Sequence, residues 1–196
     1  MIDQKPKHIL EQGIDITIHR QPQNYHTKAI ISKIGKTLSD YSLSSKRMLN
    51  VLLESDLKTG ELVTTGEESY LIHVVRKEII EGIPVSIIAH GYICNALINS
   101  SRKTILYDDY GNPIEEQETE IFDNVPCRAE QVNGKMREMD TGLLDTTVMK
   151  VYCPNNDLLE KGNKAEIAGR YYRVDDIDRM QIPGAMVLQL GVWTAG

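Results

Sequence analysis

The chain has 196 residues, 41% hydrophobic and 26% charged, which fits one ordinary domain or two small ones and is globular, not disordered. Lys plus Arg number 22 against 28 Asp plus Glu, so the formal net charge is -6, and an overall basic coat for gripping nucleic acid is excluded while a local patch is not. The longest apolar runs, such as Ile83 to Ala89, fall far short of the ~20 residues that span a bilayer.

Met1 to Gln12 carries charges and has no apolar core of a secretory signal. Cys94, Cys127 and Cys153 form no CxxC pair, which points to neither a disulfide framework nor a zinc knuckle. The expectation is a soluble protein that folds in a reducing compartment.

In chain order the pattern is strands and turns. Ile14 to Ile18 alternates apolar and polar residues with the period of a half-buried strand, and Thr27 to Ile34 is β-rich in the same way. Ser39 to Asn50 could hold a short helix or a long ordered loop. Met48 to Glu54 is a strand or a short helix, since an apolar run alone does not decide. Gly60 and Gly66 mark turns. Tyr70 to Val75 and Ile83 to Ala89 are strands, with Pro84 near the start of the second, where a missing N–H is tolerated. Thr104 to Tyr107 leads into a turn over Asp108 to Pro113. Val125 to Val132 and Val148 to Tyr152 are strands, with Gly142 to Val148 a candidate short helix or long ordered loop before the second. Lys164 to Ile167 and Arg170 to Val174 flank Gly169 like a hairpin, and Ala185 to Leu190 closes the series. Short strands at ~8–12-residue spacing argue for a barrel or sandwich.

A shift of 99 or 100 positions aligns several of these elements in order. Gly35-Lys36 falls on Gly134-Lys135, and Leu49-Asn50-Val51 on Met149-Lys150-Val151. Tyr70 to Val74 falls on Arg170 to Val174, and Ile83-Pro84 on Ile182-Pro183. The reading is an all-β protein with short helices, built as two tandem small β-barrel domains, 1–99 and 100–196, related by an internal repeat. Each would be large enough for a small core of its own. The boundary falls at the polar stretch Asn99 to Arg102. The first half is neutral, with eleven basic and eleven acidic residues; the second holds eleven and seventeen, and so carries the whole charge of -6. Much of the excess lies in Asp108, Asp109, Glu115, Glu116, Glu118, Glu120 and Asp123, either a solvated face or a surface that repels an anion.

Catalytic signatures are missing. Gly35-Lys36-Thr37 lacks the glycine six residues before the lysine that a phosphate loop needs; Ile30 stands there. His90 and Cys94 are four apart, but in strand and turn sequence, where two packed residues are the simpler reading than a nucleophile pair. Asp175, Asp176 and Asp178 lack the Gly and distal Glu of a calcium loop. Asn99-Ser100-Ser101 is a formal glycosylation acceptor with no meaning in a chain that is not secreted. The aromatic residues are scattered and suit a core better than a base-stacking platform.

The segment Gly169 to Met180, followed by Gly184 to Leu190, resembles the C-terminal pattern of the head-closure and head–tail joining proteins of long-tailed bacteriophages. A strand with Tyr-x-Val is followed by Ile-Asp, a Gly-containing turn and a final apolar strand. The likeness extends over about Val125 to Leu190 and more faintly over Thr27 to Ile98. The chain is roughly twice the length of a single-barrel member.

The resemblance implies a structural virion protein made in the host cytoplasm and placed at the head–tail junction. It would be no enzyme and need no cofactor or metal. Its partners would be portal or adaptor and tail proteins, with self-association into a ring, packaged DNA passing nearby without specific binding, and no membrane contact. A tail or baseplate adaptor is the alternative, and an OB-like nucleic-acid-binding module a further one, against which the net charge counts. Two long polar segments, Lys36 to Lys46 and Lys135 to Asp145, stand at matching places in the repeats and are expected to be mobile channel or contact loops. The candidate contact residues are Lys36, Lys46, Lys135, Met136, Arg137 and Met139, with Asp108, Asp109, Glu116 and Glu118 as channel-facing anions.

Overall fold

The computed structural model describes residues 4–20, 22–34 and 45–194. It has two helices, α1 (Gln4–Gln12) and α2 (Gly134–Met139). The first six strands are β1 (Ile14–His19), β2 (Tyr25–Lys33), β3 (Lys46–Leu52), β4 (Leu62–Thr64), β5 (Ser69–Ile80) and β6 (Ile83–Ile93). Then follow β7 (Ala96–Tyr107), β8 (Pro113–Gln131), β9 (Met149–Pro154), β10 (Lys164–Ile167), β11 (Arg170–Asp178) and β12 (Ala185–Val192). They form two closed barrels, ordered β1-β2-β3-β6-β5-β4 and β7-β8-β9-β12-β11-β10. Numbered from its own first strand, the second barrel has the order of the first. The expected all-β, two-barrel architecture is therefore what the chain adopts.

Alternation builds each core. In the first barrel Ile16, Ile18, Ala29, Leu49, Val51, Val63, Ile72, Ile87 and Ala89 point inward and pack as one cluster with Leu57 and Tyr70. The second buries Ile98, Phe122, Val151, Leu159, Ala165, Ile167, Val174, Leu188 and Leu190. Burying such side chains contributes about 1.5–3 kcal/mol each.

One turn occurs twice with the same bonds. Leu57-Lys58-Thr59-Gly60-Glu61 and Leu159-Glu160-Lys161-Gly162-Asn163 each follow the third strand of their barrel. Both leucines are buried. Gly60 N donates to Ile72 O (2.8 Å) and Ile72 N to Glu61 O (3.0 Å); Gly162 N donates to Val174 O (2.7 Å) and Val174 N to Asn163 O (3.0 Å). Lys58 N donates to a Glu61 carboxylate oxygen (2.8 Å), and Glu160 N to Asn163 Oδ1 (2.9 Å). Gly60 and Gly162 have φ of 88° and 87°, the left-handed region glycine enters without a Cβ penalty.

The next strand then bulges at the matching residue in both barrels: the ladder slips between Ile72 and Val74, and between Val174 and Asp176. These bonds match Ile72 with Val174, not Val74 with Val174, so the repeat runs two residues out of step with the sequence alignment at this strand. The offset is 99 by Gly91 and Leu190, which oppose Ile72 and Val174.

Contacts divide the chain into one unit of Met1–Cys94 with Arg179–Met186, and another of Asn95–Asp178 with Val187–Gly196. The division thus lies at Cys94, before the expected 99/100 boundary. Asn99 to Arg102 is polar but sits inside β7, where Asn99, Ser100 and Ser101 pair with β10. Helix assignments also differ. Of Ser39 to Asn50, residues 39–44 lie outside the described residues and Lys46 to Asn50 is strand, held between β2 and β6. Of helix and ordered loop, Gly142 to Val148 is the loop, and the helix of the second unit is Gly134–Met139, capped by the Asn133 side chain on Met136 N (2.9 Å). α1, which no periodic pattern announces, buries Ile9 and contacts β2, β3 and β6.

Candidate functional site

The acidic stretch begins in a turn at Asp108 and Asp109 and from Glu115 to Asp123 is strand. β8 runs without a break from Pro113 to Gln131, but β9 pairs with it only from Arg128 onward, and β10 pairs with β7 only over Ile98–Ser101. Arg102–Tyr107 and Pro113–Thr119 therefore bond to each other and, among the described residues, to no third strand. They form a two-stranded arm standing out of the second barrel.

Its tip is a turn organised by Asp108. The Asp108 carboxylate accepts the N–H groups of Tyr110 (2.9 Å) and Asn112 (2.8 Å) and the Asn112 side-chain amide (3.0 Å). Bonds from the Asn112 backbone and side chain, then from Tyr110, hold its pKa below the usual carboxylate range. Asp108 is thus a turn former as well as a charge, while its neighbour Asp109 is exposed.

The arm carries apolar side chains into solvent: Tyr110 is 91% exposed and Ile114 67%, with Ile105 and Leu106 about half exposed. In the ladder Glu116 stands opposite Ile105 and Glu115 opposite Leu106. Glutamates on one strand of the arm thus stand opposite apolar residues on the other. Sequence reasoning found the charges but not these apolar residues, because Thr104 to Tyr107 reads as an ordinary strand whose apolar members would be buried.

At the arm's base a cleft of about 510 Å³ is lined by Ser101, Glu118, Glu120, Lys164, Glu166 and Tyr171, among others. Ser101 donates its hydroxyl to Glu118, and the Lys164 ammonium lies 3.5 Å from the centroid of the Tyr171 ring. With Asp123, four carboxylates line the cleft against one ammonium, so it favours cationic groups. Lys164, Glu166 and Tyr171 come from β10 and β11, about fifty residues beyond the acidic run, and no local sequence signal links them to it. Among the described residues, no group of three or more His, Cys, Asp or Glu could hold a metal ion.

The second expected loop is fastened down. Arg137 of α2 donates to the carbonyls of Leu144 (3.1 Å), Asp145 (3.3 Å) and Thr147. The Gln189 amide accepts from Leu144 N (2.8 Å) and the Thr147 hydroxyl (2.8 Å) and donates to Gly142 O (2.9 Å). Lys150 pairs with Asp140 at 2.8 Å, and that ammonium lowers the Asp140 pKa. The mobility expected of Lys135 to Asp145 meets a segment tied to its barrel by side chains at both ends. Arg137 serves as the tie, Lys135 and Met136 lie on the same short helix, and Met139 is 78% exposed.

Lys36 lies outside the described residues. Lys46 opens β3, with its ammonium 5.1 Å from the Tyr92 ring centroid. Tyr92 meets His73 edge-on at 4.2 Å, and His73 Nδ1 lies 2.7 Å from His90 O. The candidate residues thus divide between units: Lys46 in the first, the arm and α2 in the second.

The fold and arm define a class, a tandem of like-ordered β barrels bearing one exposed, acidic and apolar hairpin. Compared with known protein families, curated proteins and solved structures, the chain matches none. Among the described residues no helix is long and apolar enough to cross a membrane.

Proposed function

We propose that the protein is a structural subunit of a phage head–tail junction that seats on a portal or adaptor ring and presents a surface to the tail. The observation that carries this reading is the arm of Arg102–Thr119: apolar residues in solvent and unpaired strand edges on a closed barrel fit a partner protein better than a small substrate. The resemblance of Gly169 to Leu190 to head-closure proteins supplies the setting. Docking occurs by the arm's edge and its apolar groups. The carboxylates of Asp109, Glu115 and Glu120 keep the DNA backbone from adhering.

The test replaces residues 103–118 by an Asn-Gly turn. The variant is expected to fold, as read by far-UV circular dichroism, but to yield particles that leak DNA or lack tails. Normal tailed particles from that variant would refute the reading, as would purified virions that lack the protein by mass spectrometry.

A further inference from the structure

β8 and β9 pair Arg128 with Tyr152, Ala129 with Val151 and Gln131 with Met149. Continuing that register by one residue sets Cys127 opposite Cys153. Both residues have 0% exposure and neither is in a disulfide. Opposed residues in a sheet share a face, and Val151, two residues before Cys153, is fully buried, so the two thiols lie on the core side of the barrel wall.

The phase of the ladder decides how close they come. Val132 N donates to Val148 O (3.0 Å), on the β9 side. On the other edge of β8, Asn95 N donates to Cys127 O (3.0 Å), while the Asn95 side chain bonds both Ala129 N (2.7 Å) and Ala129 O (2.9 Å). Cys127 and Ala129 therefore turn their backbone groups away from β9. Cys127–Cys153 is a non-hydrogen-bonded pair, the kind whose Cα atoms approach to about 4.5 Å. A disulfide needs Cα atoms about 4.4–6.8 Å apart. At the next step Pro126 would face Pro154, and neither has an N–H to donate, so the ladder loses its own bonds beside the two cysteines.

We propose that Cys127 and Cys153 close a reversible cross-strand disulfide when the protein folds in the presence of a disulfide oxidant such as oxidised glutathione, which reaches the thiols before they are buried. One thiolate attacks the oxidant's S–S bond, forming a mixed disulfide and releasing one glutathione thiolate. The second cysteine thiolate displaces the other glutathione. Two protons and two electrons leave the protein, and two reduced glutathiones carry them. The bridge ties β8, the strand that bears the arm, to β9 and closes the loop that holds α2.

Reduced protein is unfolded, refolded in oxidised glutathione, alkylated and mapped by mass spectrometry. The expected product has lost about 2 Da, with one peptide link between Cys127 and Cys153 and Cys94 alone alkylated. Bridging is expected to raise the thermal midpoint of the second unit by roughly 10 °C. Cys94→Ala must form the same link, and Cys153→Ala must form none involving Cys127. Three alkylated thiols after refolding, or a link through Cys94, would overturn the proposal. Should Cys153→Ala not fold, the wild-type and Cys94→Ala maps decide it by themselves.

Discussion

The two barrels share strand order, a Leu-x-x-Gly turn and a bulge after it, yet each lengthens a different hairpin. In the first, β5 and β6 run on to a tight turn at Glu81-Gly82, both with positive φ, flanked by exposed Ile79 and Ile83. In the second, β7 and β8 run on to the acidic arm, while β11 and β12, which match the first barrel's long hairpin, are shorter strands of 9 and 8 residues against 12 and 11. What is common lies where strands must close on a core. What differs lies beyond the last inter-strand neighbour, where the barrel imposes nothing. Length added there changes the surface without changing the closure.

The largest test of this comparison uses its two matched glycines. A Cβ on Gly60 would enter the Gly184 backbone, whereas one on Gly162 meets open space. Gly60→Ala is expected to cost about 3–5 kcal/mol, from left-handed strain plus overpacking, and Gly162→Ala about 1–2 kcal/mol. Equal losses in chemical denaturation would show that the first unit does not depend on that approach.

Next is Arg137→Ala, which leaves three loop carbonyls without their charged donor and is expected to cost about 2 kcal/mol. Trp193, in the second unit, reports it: its fluorescence transition should move while hydrogen exchange in β2 and β3 stays fixed. A matching loss of protection in those strands would mean the tie serves both units.

Acid should separate the barrels more gently. Burial first, then Lys46 and His90, lower the His73 pKa from 6.5 to about 4. The unfolded chain binds the proton below 6.5 while the folded one resists it until about 4. Stability is therefore full above pH 6.5 and falls as pH drops toward 4, by roughly 1–2 kcal/mol after solvent screening. All five histidines lie in the first half, so hydrogen exchange should show the first unit loosening in this window and the second holding until its carboxylates protonate. His73→Phe should flatten the slope; an unchanged slope would assign it elsewhere.

The smallest effect is a gain. Glu81→Asn puts the preferred Asn-Gly pair in the β5–β6 turn and should add about 0.5 kcal/mol. A loss would mean the Glu81 side chain holds the tip.

Much of the fold was legible because strand patterns are local: Ile14 to Ile18 alternates and does bury Ile16 and Ile18, while Tyr70 to Val75 and Ala185 to Leu190 are apolar runs that mark strands without showing which residues face inward. The barrel count followed from the repeat. The arm was only half legible. Its charges were plain, but Glu-rich sequence carries no strand signal, and it is strand only because β7 pairs with it. Lys164, Tyr171 and the Cys127–Cys153 opposition depend on which strands become neighbours, and that is settled by closure of the whole barrel. The two-residue slip of the repeat at β5 could not be read either, since Val74 and Val174 match by letter while hydrogen bonds match Ile72 to Val174.

The inclusion of Arg179–Met186 in the first unit bears on the order in which the protein is made. A ribosome delivers β1 to β6 early, and those strands can begin to pair at once. The Gly184 backbone that fills the space beside Gly60 is supplied more than a hundred residues later, after β7 to β11 have emerged. The first barrel waits for nearly the whole chain before its packing is complete, and this long-range contact slows its final step. Chains that stop before Arg179 leave the ribosome with that space unfilled and without β12, so neither barrel is complete and proteases should reach both.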